Sequence, residues 1–397
     1  MKCLFVCHDP PAPANNGGAI DMLGMLESLA RLGADVHLLI TAKDPFAPVD
    51  VERLARSARR TDVLLRNTGL FSALSIRPYQ IESRRALARV ALSDRYDVVI
   101  ASDHCSGVLT NPSLKTRYRI IRRNNDESLY ARRMMSCDRS LLRRAFYLKE
   151  SILFRRWVAQ LDRSVDQVWY VSEAEWKADE QRDTGSRRPK RLLVPIATQV
   201  GQMRPPSAAA IAAGRVLYFG SLTIPVNREG VDWFVENVHP RLVRSLKRYR
   251  LVIAGRVTAA EQQWAAKYAG RRDLDFFPNP ENPEHLYGEG GLFIDPRAHD
   301  AGVKVKVIEA IRNGYAVVCS PSSLHGSGLR PAAHARVAVE ANEFASQIES
   351  LIGNPADTVR MVKEAQALLE DRFNIDRYIA DALEQLDAGY RRERVTQ

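Results

Sequence analysis

The sequence predicts an α/β protein with two Rossmann-like domains, and three observations support that fold class. Apolar runs of strand length alternate with helical segments from Lys2 onward, and a second series of the same kind begins at Val216. A segment rich in Pro, Gly and Ala, residues 196–213, separates the two series and predicts a linker. The 397 residues, of which 45% are apolar and 26% charged, suffice for two well-packed soluble domains. We therefore expect domains over residues 1–195 and 214–372, followed by a helical segment over 373–397.

The first series opens with a strand, a glycine loop and a helix. The strand runs from Lys2 to Cys7, Gly17 and Gly18 end the loop, and residues 19–32 have apolar side chains at helical spacing. This order is typical of a Rossmann opening, although the loop is not a G-x-G-x-x-G motif. A plain strand–helix turn therefore remains an alternative for Gly18. Further strands are predicted at 36–40, 62–66, 97–101, 119–123, 167–171 and 192–194, and helices within 83–92 and 127–161.

Asp103 and His104 directly follow the predicted strand 97–101. Ligands collect beyond the carboxyl ends of strands in open α/β sheets, which makes both residues candidates for a binding or catalytic site. A helix cap is the alternative for this pair.

The second series has predicted strands at 216–219, 251–254, 274–277, 292–295 and 316–319, and a helix at 231–246. Gly220 and Ser221 end the first of these strands, and Gly255 and Arg256 end the second. Glycines at strand ends allow a ligand to approach the backbone closely, and Arg256 is a candidate for phosphate binding.

The most informative stretch is AGVKVKVIEAIRNGYAVVCSP, residues 301–321. It predicts a glycine turn, a short helix that stops at Asn313-Gly314, and a buried strand. The amino end of such a helix attracts phosphate, and Lys304 and Lys306 add two cations there. The carboxylate of Glu309, one turn later, is able to accept hydrogen bonds from a ribose diol. A surface helix with solvated charges is the alternative.

The segment GVKVKVIEA followed by GYAVV resembles the donor-nucleotide segment of GT-B glycosyltransferases, in the large retaining family of bacterial NDP-sugar transferases, glycosyltransferase family 4-like. The resemblance implies two Rossmann-like domains that face each other across a cleft, with the last helix, 373–397, crossing back to the first domain. It implies that RRNNDESLY, residues 122–130, faces the acceptor. It also implies donor binding by Gly18, Gly220, Ser221, Gly302, Lys304, Lys306 and Glu309. From their positions in the sequence we add Arg256 and Asp300 as donor-binding candidates. The catalytic candidates are Asp103, His104 and Lys306.

Two positions depart from the pattern of this family. The wider family has a second glutamate eight positions before Glu309, where this chain has Ala301, and Asp300 or His299 is the substitute candidate. A Lys-Gly pair often follows the first glycine loop of the second domain, whereas this chain has Glu229-Gly230. Recognition of the donor sugar is the function that the first departure affects.

The resemblance implies an enzyme that moves a sugar from an NDP-sugar donor to a lipid-linked or saccharide acceptor, with retention, in bacterial polysaccharide or glycolipid synthesis. The resemblance also implies that the reaction needs no bound metal, and we expect no cofactor, with the NDP-sugar as the donor substrate. Ala301 keeps an alternative open: a non-catalytic GT-B-like subunit that binds a nucleotide or a partner transferase.

Charge is unevenly distributed along the chain. Residues 115–163 contain fourteen Lys and Arg against five acidic residues, which accounts for +9 of the net +11. Such a segment attracts an anionic surface, and apolar residues at helical spacing within it favour a membrane over nucleic acid. A solvated helix face is the alternative. With five cysteines and no C-x-x-C pair, we expect a reduced cytoplasmic chain, with a peripheral position on the inner face of the cell membrane as an alternative.

The sequence disfavours several other classes of protein and of binding site. The D-x-D at Asp273 and Asp275 lies within a predicted strand, where the two carboxylates are expected on a solvent face rather than on a metal. No G-x-S-x-G, P-loop or H-E-x-x-H motif occurs, and no apolar run is long enough to span a bilayer.

Overall fold

The computed structural model describes residues 1–12, 17–44, 52, 54–138, 140–181, 189–197, 203–280, 283–288, 290–297 and 303–395. Contacts within the chain divide it into two units. The N-terminal unit comprises residues 1–14, 18–197 and 375–397, and the C-terminal unit comprises residues 15–17 and 198–374. Each unit is an α/β domain built on a parallel sheet.

The sheet of the N-terminal unit has seven parallel strands in the order β3-β2-β1-β4-β5-β6-β7 within the described residues. The central strands β1, β2 and β4 are almost wholly buried apolar runs, as parallel strands covered on both faces require. The strands are β1 Lys2–Cys7, β2 Asp35–Ala42, β3 Arg60–Leu65, β4 Arg95–Ser102, β5 Lys115–Arg123, β6 Gln167–Tyr170 and β7 Lys190–Leu193.

Helices connect these strands, and the last helix of the chain packs on the same core. Ile375 and Ile379 belong to the buried cluster that contains Met25 and Trp169, and the Gln167 side chain donates a hydrogen bond to the carbonyl of Ala382 at 2.8 Å. The helices of this unit are α1 Gly17–Arg31, α2 Leu70–Leu74, α3 Tyr79–Glu82, α4 Glu127–Cys137, α5 Leu141–Leu161, α6 Glu173–Gln181 and α15 Ile375–Val395.

The C-terminal unit has a sheet of six parallel strands in the order β10-β9-β8-β11-β12-β13 within its described residues. The strands are β8 Arg215–Phe219, β9 Arg250–Gly255, β10 Leu274–Pro278, β11 Gly291–Asp295, β12 Tyr315–Cys319 and β13 Arg336–Val337. The helices are α7 Ala208–Ala212, α8 Pro225–Asn237, α9 His239–Ser245, α10 Gln262–Ala265, α11 Pro283–Tyr287, α12 Val305–Arg312, α13 Ala341–Gly353 and α14 Pro355–Arg372.

The predicted strands are present, but three predicted helices differ from the structure. The helix expected at 231–246 is two helices, since Val238 ends α8 and Pro240, which has no N–H, lies in the first turn of α9. The long region 127–161 likewise divides into α4 and α5. The helix expected at 83–92 is only a 3₁₀ turn, Arg85–Ala88.

A buried ion pair fixes the chain where it leaves the first sheet. Arg122 at the end of β5 and Asp21 of α1 form two hydrogen bonds of 2.6 and 2.8 Å, and both side chains are nearly inaccessible to solvent. The same guanidinium donates to the carbonyls of Val194 and Pro195, and the amide of Ala197 donates to Asp21. The polar atoms of both side chains are therefore hydrogen-bonded to each other or to the backbone, and the pair anchors residues 194–197.

Candidate functional site

The helix predicted from residues 301–321 is present as α12, and Lys306 in its first turn contacts Tyr218 of β8 and Asp295 at the end of β11. Val305, Val307, Ile308, Ala310 and Ile311 are buried, which fixes the polar residues of the helix on the opposite side. Gly314 follows it with φ of +80°, a conformation that glycine adopts without strain. The predicted contributors Asp300 and Gly302 lie outside the described residues, as does Ala301.

Glu309 has an unsatisfied carboxylate. Its Oε1 is buried and has no hydrogen-bond partner among the described residues. Burial raises the pKa of Glu309 to about 7, and Arg312 on the same helix opposes that rise. Tyr287 of α11 also faces this carboxylate, whose negative charge adds to the burial that raises the tyrosine pKa. A buried acceptor without a donor costs free energy, so this site fits a ligand that brings hydroxyl groups.

Lys306 is held in place by three side chains. Its Nζ lies 2.7 Å from Asp295 Oδ1, donates to Asn227 Oδ1 at 3.0 Å, and lies 5.1 Å from the centre of the Tyr218 ring. Burial lowers the pKa of Lys306, but the Asp295 carboxylate and Tyr218 more than offset this and hold that pKa above its ordinary value. The lysine therefore remains charged, with its ammonium fixed in direction.

Asp295 is a site residue that the sequence did not single out. It ends β11, it is fully buried, and its carboxylate neutralises much of the Lys306 charge. The only signal in the sequence is an acidic residue at the end of an otherwise apolar strand, GLFID. Buried carboxylates are rare without a partner, so such a residue predicts a nearby cation.

Gly220, Ser221 and Arg256 gather at the ends of β8 and β9. A Cβ at Gly255 would lie 1.8 Å from the Gly220 carbonyl oxygen, so the close contact of the two strand ends requires glycine there. A Cβ at Gly220 would lie 3.3 Å from Lys306 Cδ, which places this loop against the lysine. Arg256 is exposed beyond β9, and Ser221 Oγ shares a hydrogen bond with Thr223 at 2.8 Å. Lys304 precedes the first turn of α12.

In the N-terminal unit, the two predicted residues beyond β4 differ in their environments. Asp103 is buried and contacts the Arg123 guanidinium at 3.1 and 3.4 Å. Burial raises the pKa of Asp103, while Arg123 opposes that rise. Arg123 also binds Asp162 at 2.8 Å and the Tyr170 hydroxyl at 2.8 Å. Asp103 is thus one member of a buried ion-pair network at the ends of β4, β5 and β6.

His104 is the more accessible of the two. Its Nε2 lies 3.3 Å from Glu127 Oε1, and its ring packs edge-on against His8 at 5.3 Å and Phe154 at 6.0 Å. His8 follows β1, so β1 and β4 bring the two imidazoles together at one edge of the sheet. Burial lowers the pKa of His8 well below its usual value, and the neighbouring His104 lowers it further.

Glu175 of α6 is a further buried carboxylate in this unit. Its Oε2 has no hydrogen-bond partner among the described residues, and burial raises the pKa of Glu175 to about 7. The sequence predicts Glu175 only as part of a capping box, and its amide does donate a hydrogen bond to Ser172 Oγ at 3.4 Å. Gly18 lies in the first turn of α1.

The two aspartates of the D-x-D motif are partners of other side chains. Asp273 lies 3.0 Å from His239 Nε2 and also pairs with Arg271, and Asp275 pairs with Arg250. Within the described part of the chain, no cluster of three or more His, Cys, Asp or Glu residues is arranged to hold a metal ion.

Comparisons with known proteins agree with this geometry. Residues 213–354 match the family model described as Glycosyl transferases group 1. The structure matches Anabaena HepE in complex with UDP and glucose with a TM-score of 0.63 and 14% identity, over 98% of this chain and 100% of that one. It matches sucrose-phosphate synthase from Thermosynechococcus elongatus with a TM-score of 0.68 and 16% identity, at the same coverage. The chain has the GT-B fold. The predicted resemblance to GT-B glycosyltransferases is thereby confirmed.

The description of one relative names the genetic region that encodes it. The chain is 26% identical over 386 residues to an uncharacterized 44.6 kDa protein in the cps region of Klebsiella pneumoniae, over 94% of this chain and 96% of that protein. The retaining stereochemistry and the family 4 subdivision stay predictions, as do the individual site residues.

Proposed function

We propose that this protein is a glycosyltransferase that moves a sugar from a nucleotide-diphosphate donor to a lipid-linked or saccharide acceptor, with retention of configuration. The observation that carries the proposal is the Glu309 carboxylate on α12. It is buried with an unsatisfied oxygen, inside the segment that matches the Glycosyl transferases group 1 model. The vicinal hydroxyls of a ribose supply the donors that this carboxylate lacks.

The remaining residues of the C-terminal unit fit a diphosphate. The Lys306 ammonium, the amino end of α12, and Lys304 before it place positive charge next to the Gly220 loop. Arg256 adds a further cation beyond β9. Charge on the leaving diphosphate grows toward the transition state, so groups that are already oriented toward it accelerate the reaction.

In the N-terminal unit, His104 is the proposed acceptor-side residue. Its side chain is partly accessible. Its buried Nε2 lies 3.3 Å from Glu127 Oε1 without a hydrogen bond among the described residues, so the rest of the ring is able to position the attacking hydroxyl or accept its proton. Asp103 has a supporting role in this proposal, because its carboxylate is occupied by Arg123.

The ligands of one structural neighbour and the genetic region of one relative support a choice of donor and of biological process. HepE is solved with UDP-glucose and with UDP and glucose, and the Klebsiella relative is encoded in a cps region. We therefore propose a UDP-hexose as the first donor to test, and polysaccharide or glycolipid synthesis as the process. We further propose a peripheral location on the inner face of the cell membrane. In the part of the chain that is described, no helix is long and apolar enough to cross a bilayer.

The test is a panel of UDP-, GDP- and ADP-sugars with soluble saccharide acceptors, in which release of the nucleoside diphosphate is measured. We expect acceptor-dependent release with one nucleotide, and loss of that release in Glu309→Gln. The alternative, a non-catalytic subunit that binds a nucleotide or a partner transferase, rests on Ala301. That alternative predicts binding of a diphosphate without release from any sugar donor.

A further inference from the structure

The outer face of the N-terminal unit exposes large apolar side chains that a soluble domain normally buries. Phe71 and Leu74 of α2 are 89% and 72% exposed, and Ile76 just after it is 90% exposed. Leu141 and Leu142 at the start of α5 are 78% and 85% exposed. Single exposed apolar residues are common, but several close together indicate an interaction surface.

Helix α5 is apolar on both of its faces. Phe154 and Leu161 are buried against the unit. On the opposite side, Leu141, Ala145, Leu148 and Ile152 follow each other at spacings of four, three and four residues, so they form one stripe, and all four are exposed. The stripe is therefore not the face that folding requires.

The α2 segment is attached to α5 beside this stripe. The Lys149 ammonium donates to the carbonyls of Ala73 and Ser75, and Glu150 accepts a hydrogen bond from the Tyr79 amide at 2.7 Å. Phe71, Leu74 and Ile76 thus lie next to the stripe, although they are far from it in sequence. We call Phe71, Leu74, Ile76 and the stripe the apolar patch.

Arginines flank the patch. Arg144, Arg155 and Arg156 lie within about 70° of the centre of the stripe around the helix axis, and all three are exposed. The acidic side chains of α4 and α5 are engaged elsewhere: Glu127 lies against His104, and Glu150 against Lys149. The patch is therefore an apolar centre with a basic rim.

We propose that this patch docks the N-terminal unit on an anionic lipid bilayer, with the apolar side chains inserted at the level of the headgroups. The positive charge of the rim indicates that the partner is an anionic bilayer, because arginines beside exposed leucines complement an anionic interface with an apolar interior. The proposal extends the peripheral location proposed above by naming the inserted side chains, and it does not depend on the sugar-transfer reaction.

The experiment is co-sedimentation of the full chain with phosphatidylcholine vesicles, with and without phosphatidylglycerol, at low and high salt. Three variants are compared with the unchanged protein: Phe71→Ser with Ile76→Ser, Leu141→Ser with Leu148→Ser, and Arg144→Gln with Arg155→Gln and Arg156→Gln. All of these positions are exposed, so folding is preserved. The matched control removes exposed charges from the C-terminal unit, Arg244→Gln with Lys247→Gln and Arg248→Gln.

We expect binding to anionic vesicles that weakens at high salt. The triple arginine variant should lower the partition coefficient roughly 100-fold, since each basic residue contributes roughly fivefold. Each serine pair should lower it roughly tenfold or more. The control should bind like the unchanged protein.

Equal binding by the serine pairs and the unchanged protein would overturn the proposal, and so would equal binding to neutral and anionic vesicles. A serine pair that changes only the sedimentation coefficient of the free protein would show a contact between copies of the chain, which also overturns it. UDP binding measured on the same variants should be unchanged in every case, so a failure here is separable from a failure of the proposed donor site.

Discussion

Glu309→Gln should weaken nucleotide binding and stabilise the free protein at the same time. Glutamine keeps the shape of the side chain but removes its charge, and the charge is what burial opposes. The pKa of Glu309 is raised from 4.5 to about 7, and a shift of that size corresponds to about 3 kcal/mol of ionisation cost in the folded state. A bound ribose would offset this cost by donating hydrogen bonds to the carboxylate.

The sign of the pH dependence follows from the raised pKa. Below pH 4.5 Glu309 is protonated in both the folded and the unfolded chain, so it costs nothing. As the pH rises from 4.5 to about 7, only the unfolded chain ionises freely, and folding stability falls. Above pH 7 the full cost is present. Glu309→Gln should therefore be more stable than the unchanged protein by less than about 1 kcal/mol at pH 5 and by up to about 3 kcal/mol at pH 8.

Nucleotide binding by the unchanged protein should change with pH in the opposite direction to its folding stability. Because the ionised carboxylate is the better acceptor, UDP affinity of the unchanged protein should rise between pH 6 and pH 8. Glu309→Gln should lose about 1–3 kcal/mol of binding, roughly tenfold to a hundredfold in Kd, and lose this pH dependence. Urea titrations and calorimetry at both pH values measure the two effects. An unchanged Kd would remove Glu309 from the site, and a stability gain of equal size at pH 5 would refute the ionisation argument.

Three further predictions concern the other polar groups. Lys306→Met should destabilise the fold by about 3–5 kcal/mol, because it leaves Asp295 buried without its cation. Adding Asp295→Asn to this variant should restore most of the melting temperature but not the transfer rate. A restored transfer rate would mean that the role of Lys306 is purely structural. His104→Gln should slow acceptor-dependent transfer on the order of a hundredfold with UDP affinity unchanged, as rate measurements against acceptor concentration will show. Asp21→Asn should cost about 3–5 kcal/mol in urea unfolding, since it leaves the Arg122 guanidinium buried and unpaired, and a cost below 1 kcal/mol would contradict that account.

The sequence was sufficient for the fold because the signals for it are local. Buried parallel strands such as VVIA in β4 and YAVVC in β12 are continuous apolar runs, and the helices between them have apolar residues at helical spacing. The division of one predicted helix at Val238 was also visible in principle, since Pro240 interrupts the pattern. The prediction of a helix at 83–92 was wrong for a different reason. The segment is short, and tertiary packing decides the conformation of short segments.

The site was only partly predictable, because its geometry depends on residues that are distant in sequence. Lys306 and Glu309 could be found from one short motif. Neither the ion pair between Lys306 and Asp295 nor the contact between His8 and His104 has a local signature. The first joins α12 to the end of β11, and the second joins the ends of β1 and β4. The same limit applies to the apolar patch, in which α2 and α5 meet.

The ion pair also changes which cations we expect to determine donor affinity. Asp295 neutralises the Lys306 charge at longer distances, so the pair attracts an approaching diphosphate less than a free lysine would. Among the described residues, Arg256 and the amino end of α12 then supply long-range attraction, whereas Lys306 contributes an oriented donor at short range. Arg256→Gln should therefore raise the Kd for UDP and reduce the dependence of that Kd on salt. Lys306→Met with Asp295→Asn should slow transfer while leaving the salt dependence unchanged. Calorimetry at several salt concentrations compares the two variants, and an equal loss of salt dependence in both would mean that Lys306 acts as a free cation.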